Sequence, residues 1–354
     1  MTQKDLDMTL KPRFEITSLR IRDLRSLKSL SLPKNGMGWE DRFPPLAVIA
    51  GANGSGKTTL LRCITQAARL FTAGSATIPS EIDATELQID FAVSNGNTEA
   101  RKVRFLVGDE DYIEHNKTKD CIGYIRTSKR PRSILRGEAK KLRGILRNLV
   151  HFAESSWPRV VFMPSDDRDL IVPGVKYKAP GRLQDDLGFV AAWERLGPKQ
   201  WAGSTLELLF SARWADLNAK EEGHTKDATN FDAYARAFAD LTGERKKLAW
   251  TRKGELVVQL KDKTTHELGA LSSGERQALF LLAELRRRWR PGSLVLIDEL
   301  ELHLHDAWQG KLLDILAAMQ KELGGQVIVT TQSHSLFEMA PLGTRALLGR
   351  EHLR

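Results

Sequence analysis

Cysteine and long apolar runs are scarce in this sequence. The chain has two cysteines, Cys63 and Cys121, and their wide separation fits neither a disulfide framework nor the ligand spacing of a metal site. No apolar run approaches the roughly 18 residues needed to span a bilayer, and the N-terminal segment 1–7 lacks the apolar core of a signal peptide. We therefore expect a cytoplasmic protein without membrane insertion, although it could attach to a membrane through another chain.

The sequence also lacks repeats of fixed period and low-complexity tracts. Its 354 residues exceed one average domain, and we expect a single large core with an elaboration. With 41% hydrophobic and 28% charged residues, the composition is that of a soluble globular protein. The formal net charge of +9 would draw the protein toward polyanions, but net charge alone does not identify a partner.

A phosphate-binding motif stands near the start of the chain. Residues 51–59 fit the pattern G-x-x-x-x-G-K-[ST], after a run (45–50) that predicts a buried strand and before a run (60–69) that predicts a helix. Backbone N–H groups of such a loop point at phosphates, and the helix N-terminus adds its positive dipole end. Lys57 would contact the β- and γ-phosphates and Thr58 would bind Mg²⁺. The residues predicted to bind ATP here are Asn53, Gly54, Ser55, Gly56, Lys57, Thr58 and Thr59.

A carboxylate pair follows an apolar run late in the chain. The run 294–297 has no polar alternation, as expected of a central parallel strand buried on both faces, and Asp298 and Glu299 come directly after it. The carboxyl ends of such strands are where α/β sheets place their ligands. We predict that Asp298 holds Mg²⁺ through water and that Glu299 orients or deprotonates the attacking water. A strand followed by two solvated acids is the alternative.

Histidines follow this pair in two places. His303 and His305 could suggest zinc, but no cysteine or third histidine lies at ligand spacing, which disfavours a metal. The run 326–330 predicts one more buried strand, and His334 comes shortly after its end. A histidine in that position could reach a γ-phosphate and report its presence. The predicted catalytic residues are Glu299, His334 and Lys57.

The segment 271–277, Leu-Ser-Ser-Gly-Glu-Arg-Gln, precedes a strongly apolar helical stretch. A serine at the start of a helix caps it, and the free N–H groups of that helix can face an anion. The segment would therefore form a second phosphate-sensing helix terminus. A chain with one nucleotide loop rarely needs a second such terminus for itself.

The middle of the chain predicts a mostly helical insertion, 126–250, between an N-terminal lobe, 1–125, and a C-terminal lobe, 251–354. Within the insertion, the basic stretch 126–147 carries nine Lys or Arg against one acid, Glu138. Such a run is more often a solvated helix face. Contact with nucleic acid or another anionic partner is an equally weighted alternative.

Antiparallel strands are predicted beside the main sheet. Apolar and polar residues alternate over 14–32, and two further runs, 86–93 and 102–107, are separated by a turn signal. Another hairpin is predicted over 255–268, just before the serine-rich segment. The antiparallel strands would form a small sheet packed beside the parallel one.

Taken in order, these motifs resemble the ATP-binding-cassette (ABC) class of P-loop ATPases, with its phosphate loop, signature segment, Asp-Glu pair, D-loop and switch histidine. Within that class, E-L-H-L-H at 301–305 and T-Q-S-H-S at 331–335 are similar to the RecF, SMC and OLD group. The resemblance covers 14–70 and 255–338. For the glutamine of the Q-loop, Gln88 is a weak candidate.

The sequence departs from the patterns of this class in two places. Asp306 stands where the OLD-like pattern usually has proline, and Ser273 and Glu275 stand where transporters have Gly and Gln. The resemblance nevertheless implies a fold class: an α/β P-loop NTPase of ABC type with a mixed or parallel central sheet, an antiparallel β side sheet and an inserted helical subdomain.

The resemblance also implies a mechanism. In proteins of this type two chains sandwich two ATP molecules with Mg²⁺. The signature helix of the partner chain completes each nucleotide-binding pocket. By that analogy the signature residues act on the nucleotide held by the other copy of an ATP-dependent homodimer. These residues are Ser272, Ser273, Gly274 and Glu275.

Our leading hypothesis is an ATP-hydrolysing subunit that regulates a separately encoded nuclease or toxin in anti-phage defence or DNA maintenance. The interval between Lys57 and Leu271 leaves no room for a long coiled coil. The few residues after His334 would not hold the nuclease domain of OLD-type enzymes, so we expect any such activity in another protein. A DNA-end clamp of RecF type is the alternative. A transporter ATPase subunit is less favoured, because of the late signature, the E-L-H-L-H stretch and the insertion.

Overall fold

The computed structural model describes residues 12–33, 39, 42–72, 78–95, 99–126, 132–134, 158–165, 190–192, 198–223 and 230–349. The strands are β1 (Pro12–Leu24), β2 (Leu27–Leu32), β3 (Leu46–Gly51), β4 (Glu86–Asn95), β5 (Arg101–Gly108), β6 (Cys121–Ile125), β7 (Arg132–Ile134), β8 (Val160–Met163), β9 (Val190–Ala192), β10 (Lys246–Trp250), β11 (Leu256–Leu260), β12 (Thr265–Glu267), β13 (Leu294–Ile297), β14 (Gln326–Thr331) and β15 (Arg345–Leu348). The helices are α1 (Lys57–Thr72), α2 (Glu110–Asn116), α3 (Pro198–Glu221), α4 (Asn230–Leu241), α5 (Ser273–Arg288), α6 (Asp306–Leu323) and α7 (His334–Met339).

A six-stranded sheet of order β15-β3-β14-β13-β8-β9 forms the centre, and its neighbouring strands are parallel. Alternate residues of β13 face opposite layers. Leu294 and Leu296 pack in the core that contains α1, whereas Val295 and Ile297 pack in the core that contains α5. Because both faces of β13 are covered, all four of its residues are apolar, which explains the unbroken run 294–297 in the sequence. The predicted parallel central sheet is confirmed.

A second six-stranded sheet, of order β2-β1-β4-β5-β6-β7, lies on the α1 side of the central sheet. Its described pairs are antiparallel except for β5 and β6, which run parallel. The buried amide side chain of Gln326, in β14, joins the two sheets: its Oε1 accepts from Ile16 N at 2.9 Å and its Nε2 donates to Ile16 O at 3.1 Å. The predicted side sheet is therefore confirmed, with one parallel pair in it.

Strands β10, β11 and β12 form a small antiparallel sheet on the other side of the central sheet, next to α3 and α4. The hairpin predicted over 255–268 corresponds to β11 and β12. Helices α3 and α4 fall within the predicted insertion, 126–250. Strands β8 and β9 also fall in that range but belong to the central sheet, and the boundaries of the insertion stay a prediction. Of the basic stretch 126–147, only 126 and 132–134 lie among the described residues.

Helix length and polarity bear on membrane insertion. Over the part of the chain that the structure describes, no helix combines the length and the apolar character that crossing a bilayer requires.

Candidate nucleotide site

The carboxyl ends of four neighbouring parallel strands meet at one edge of the central sheet. Strand β3 ends in the glycine-rich loop at Gly51, and β14, β13 and β8 lie next to it in that order. Polar residues follow each of these strands, with Ser165 after β8, Asp298 after β13 and Thr331 at the end of β14. This edge is where parallel α/β sheets place their ligands.

The glycine-rich loop turns from β3 into α1, as the motif predicts. Gly56 has φ +88°, a backbone conformation that residues with a Cβ rarely adopt, and a Cβ there would also lie 2.4 Å from Leu27 Cδ2. Lys57 is 4% exposed, and its Nζ donates to Gly51 O at 2.8 Å and to Ala52 O at 3.0 Å. The side chain of Lys57 therefore folds back over the glycine-rich loop, toward the residues at which the loop begins.

Asp298 is the polar centre of this edge. It is fully buried, at 0% exposure. Its Oδ2 accepts from Thr58 Oγ1 at 2.7 Å and from Ser165 Oγ at 3.1 Å, and its Oδ1 accepts from Thr330 Oγ1 at 2.6 Å. A buried carboxylate needs such partners, because burial without them carries a large desolvation penalty. Asp298 is thereby fixed next to the first turn of α1.

The backbone of Glu299 is held by Thr330. Its amide donates to Thr330 Oγ1 at 3.0 Å, so the one hydroxyl of Thr330 links both acids of the pair. Glu299 also has φ +47°, in the left-handed region that costs energy for residues with a Cβ. The contacts of β14 thus impose a sharp turn directly after Asp298.

These residues fit Mg²⁺ and a nucleotide. Mg²⁺ takes oxygen ligands and is usually bound by one or two side chains together with phosphate oxygens, and the Thr58 hydroxyl lies 2.7 Å from the Asp298 carboxylate. Ser55 Oγ is buried without a hydrogen-bond partner among the described residues. Around Gly54 a Cβ would meet no atom within 4 Å, so the loop has open space on that side. Within the described ranges no three His, Cys, Asp or Glu side chains are clustered as a separate metal site.

Two hydrogen bonds tie the segment after β14 to residues that follow β13 in the chain. Gln332 N donates to Glu301 Oε1 at 2.6 Å, and Ser333 Oγ donates to Gln309 Oε1 at 2.7 Å. Ser333 also caps α7, because its Oγ accepts from Leu336 N at 3.2 Å. His334 is the first residue of that helix and is exposed. Its catalytic role stays a prediction.

The signature segment forms the start of α5. Ser272 is the N-cap: its Oγ accepts from Glu275 N at 3.3 Å, and Glu275 Oε2 accepts from Ser272 N at 2.8 Å, which completes a capping box. A Cβ on Gly274 would lie 2.5 Å from His303 O, so the E-L-H-L-H segment packs directly on the helix start. Only glycine permits this approach.

A pocket of about 660 Å³ opens at this helix start. Its lining includes Ser272, Ser273 and Gly274, together with basic side chains from β10 and α6 such as Lys246 and Lys311. None of the described residues that line it belongs to the glycine-rich loop. The two predicted phosphate-binding elements therefore do not share this pocket within one chain.

The two histidines of E-L-H-L-H have structural positions. His305 caps α6, with its Nδ1 accepting from Ala307 N at 3.2 Å. His303 is exposed, has φ +59° and presents its carbonyl to Gly274. The Nδ1 atom of His305 is thus engaged in capping, and the turn at His303 brings the segment against the start of α5.

A buried ion pair lies on α5, behind the signature segment. Arg288 Nε is 2.6 Å from Glu284 Oε2, with both side chains at most 1% exposed, and Thr205 Oγ1 of α3 donates to Glu284 Oε1 at 2.7 Å. Burial, and secondly the charge of Glu284, raise the pKa of Tyr234 on α4 to about 12. Burial likewise raises the pKa of the Cys63 thiol on α1, which keeps it protonated and unreactive.

Sequence reasoning missed several residues of the site. Ser165 and Thr330 contact Asp298, and Gln309 links the start of α6 to Ser333. Ser165 and Thr330 could have been found, because each stands at the end of a buried parallel strand. Gln88, the weak Q-loop candidate, lies in β4 of the side sheet and donates to Asp90 Oδ2 at 3.0 Å.

Most residues of the candidate site lie within a match to a known protein family. A family model described as "AAA domain, putative AbiEii toxin, Type IV TA system" matches residues 46–146 and 184–338, well over half of the chain. Among curated proteins, the "Retron Ec83 probable ATPase" of Escherichia coli is 40% identical over 74 residues, which is 18% of this chain and 13% of that protein. The chain therefore matches far less than two thirds of that relative.

Solved structures of SMC head domains are similar over most of their length. An SmcHead bound to the C-winged helix domain of ScpA is 18% identical, with 92% of each chain covered and a TM-score of 0.47. The SMC head domain from Thermotoga maritima is 15% identical, with 92% of each chain covered and a TM-score of 0.43.

Proposed function

The chain belongs to the AAA-domain family described as "putative AbiEii toxin, Type IV TA system", and from this premise we propose that it hydrolyses ATP with Mg²⁺ as an ATP-dependent homodimer. In that role it would regulate a separately encoded effector. The resemblance to P-loop ATPases of the RecF, SMC and OLD group is confirmed by the family match. The family supports ATPase activity, whereas dimerisation and the effector belong to the proposal.

One observation carries the ATPase proposal. Thr58 Oγ1, in the first turn after the glycine-rich loop, donates to Asp298 Oδ2 at 2.7 Å. The loop that would hold phosphates and the carboxylate that would hold Mg²⁺ are thus adjacent. A hydroxyl in contact with a carboxylate suits Mg²⁺. The neighbouring Lys57 and the N-terminus of α1 suit the phosphates of a nucleotide. A turn without chemistry would not need this convergence.

The residues of the chain would divide the reaction between them. Mg²⁺-ATP, when bound, supplies the phosphoryl group that water attacks. Lys57 and the N–H groups of the loop would hold the phosphates, and Thr58 and Asp298 would position the metal. Glu299, fixed by its amide to Thr330, would accept a proton from the attacking water.

The dimer is supported by the separation of the two phosphate-binding elements. The pocket at the signature segment has no glycine-rich-loop residue among its described lining. The signature segment would therefore complete the nucleotide-binding site of the other copy, through Ser272, Ser273 and Gly274. Glu275, whose carboxylate is engaged by Ser272 N and by Lys246, would fix the segment.

The effector is supported by names alone. The family description mentions a toxin and a toxin–antitoxin system, and the similar Escherichia coli protein is described as a retron ATPase. We propose that this chain acts in the cytoplasm beside a separately encoded nuclease or toxin, in anti-phage defence or DNA maintenance. ATP hydrolysis would couple dimer opening to release of that effector.

Phosphate release by purified Glu299→Gln tests the chemistry. Loss of the base should lower kcat at least ~100-fold while ATP binding is kept and the dimer becomes stable enough to isolate. Glu322→Gln, at an exposed position of α6, is the matched control and should turn over normally. Normal turnover by Glu299→Gln would remove Glu299 from the base role.

The effector is tested by purifying Glu299→Gln with Mg²⁺-ATP from cells that also express the neighbouring genes. Mass spectrometry then identifies what remains bound. A nuclease or toxin that co-purifies with this variant supports the proposal if nucleic acid releases it, or if the parent chain releases it on hydrolysing ATP. A homodimer that retains DNA and no second protein would instead favour the alternative function, a DNA-end clamp of RecF type.

A further inference from the structure

The signature segment is connected to the helices α3 and α4 through a lysine outside the motif. Lys246 Nζ lies 2.6 Å from Glu275 Oε1, and the two side chains are 30% and 8% exposed. The other oxygen of Glu275 accepts from Ser272 N at 2.8 Å. One carboxylate therefore holds both the N-cap of α5 and a cation from β10.

The position of Lys246 is set by α4. Thr242, buried just after that helix, has its Oγ1 at 2.9 Å from Lys246 O and at 3.1 Å from Ala239 O. Helix α4 is in turn tied to α3, because Phe231 N donates to Asp216 Oδ2 at 2.9 Å. A displacement of these helices would move Lys246 and change its contact with Glu275.

We propose that Lys246 is a positioning residue for the signature serines, through which α3 and α4 control how well one chain engages the nucleotide of the other. The effect on the nucleotide of the other chain rests on the proposed dimer. The contact between Lys246 and Glu275 does not, because it lies within one chain. With the lysine in place, Glu275 keeps the orientation in which it accepts from Ser272 N, and the N–H groups at the start of α5 keep one direction. A charge-assisted contact of this length is stronger than a neutral hydrogen bond.

Two substitutions in one strand separate this role from a loss of charge. Lys246→Met removes the contact with Glu275, whereas Lys247→Met removes the same charge from the next, exposed residue of β10. Lys246→Arg keeps a cation within reach of the carboxylate. All three are made in the full chain, both with and without Glu299→Gln.

The first readout is hydrogen exchange of backbone amides over 268–280, measured on the chain without nucleotide. Lys246→Met should speed exchange at the start of α5 by about tenfold, because a capping hydrogen bond contributes on that scale. Lys247→Met and Lys246→Arg should behave like the parent chain. Equal exchange in Lys246→Met and Lys247→Met overturns the inference.

The second readout is dimerisation of the Glu299→Gln chain in saturating Mg²⁺-ATP, measured by sedimentation velocity. Adding Lys246→Met should raise the dimer dissociation constant about tenfold, with unchanged binding of a fluorescent ATP analogue to the single chain. A Lys246→Met dimer as tight as its parent contradicts the proposal. If the parent forms no dimer, the proposed function fails by itself, and the exchange experiment still decides whether Lys246 positions the cap.

Discussion

Thr58 and Asp298 are 240 positions apart in the chain, yet the Thr58 hydroxyl donates to Asp298 Oδ2 at 2.7 Å. The contact exists because β3 and β13 both flank β14, so their carboxyl ends reach the same edge of the sheet. Asp298 is held from three sides by hydroxyl groups, from Thr58, Ser165 and Thr330. The geometry of the candidate site can therefore be tested one hydroxyl at a time.

Thr330→Val should disturb both acids of the site. It removes the donor to Asp298 Oδ1 and the acceptor for Glu299 N, and leaves a buried carboxylate with fewer partners. We expect a loss of about 1–3 kcal/mol in unfolding free energy and about a tenfold lower kcat, since Glu299 loses the contact that orients it. Urea denaturation and phosphate release measure the two effects.

Thr65→Val is the control for that experiment. Thr65 is also buried, but its hydroxyl donates to Leu61 O within α1 and, among the described residues, to no residue of the site. We expect a small change in stability and none in kcat. An unchanged kcat in Thr330→Val would show that the Thr330 hydroxyl does not position the acids.

Gly274→Ala should disrupt the contact between the signature helix and the E-L-H-L-H segment. The added Cβ would lie 2.5 Å from His303 O, a backbone atom that cannot move alone. We expect destabilisation of about 1–3 kcal/mol and loss of ATP-dependent dimerisation. Gly269→Ala is the matched control, because a Cβ there meets no atom within 4 Å. Urea unfolding that is identical for the two alanine variants would contradict the close approach.

Glu284→Met should be strongly destabilising, because it removes the Glu284 carboxylate from the buried charge of Arg288. Both side chains are at most 1% exposed, and breaking such a pair costs about 3–5 kcal/mol. The double variant Glu284→Met with Arg288→Met should recover much of that loss. Glu86→Gln breaks the exposed pair with Arg22 and should change the unfolding free energy by less than about 0.5 kcal/mol. A double variant no more stable than the single one would contradict this account.

Tyr234 makes stability depend on alkaline pH. Burial, followed by the charge of Glu284, raises its pKa to about 12 in the folded chain, against about 10 in an unfolded one. The folded state thus favours the neutral phenol, and this stabilisation is complete below about pH 10 and lost between about pH 10 and pH 12. Relative to Tyr234→Phe, the wild type should lose about 1 kcal/mol by pH 11. The free energy of unfolding is measured by urea denaturation from about pH 9 to about pH 12. An equal loss in the wild type and in Tyr234→Phe would argue against a raised pKa.

The residues of the candidate site could be identified in the sequence because its motifs are local. The glycine-rich loop, the apolar strand ending in Asp298 and Glu299, and the serine before α5 each depend on spacing along a few residues. Unbroken apolar runs likewise predicted a parallel sheet covered on both faces, and alternation predicted the antiparallel side sheet. These patterns follow from the periods of strands and helices, so no knowledge of the fold is needed to see them.

The tertiary structure alone decided which distant residues meet. That Ser165 and Thr330 hold Asp298, that Gly274 packs on His303 O, and that Lys246 reaches Glu275 all depend on strand order and on the packing of helices against the sheet. Such contacts join segments far apart in the chain, and no local period encodes them. The sequence by itself determined the chemical groups of the candidate site, whereas the order of the strands determined which of those groups lie within hydrogen-bond distance.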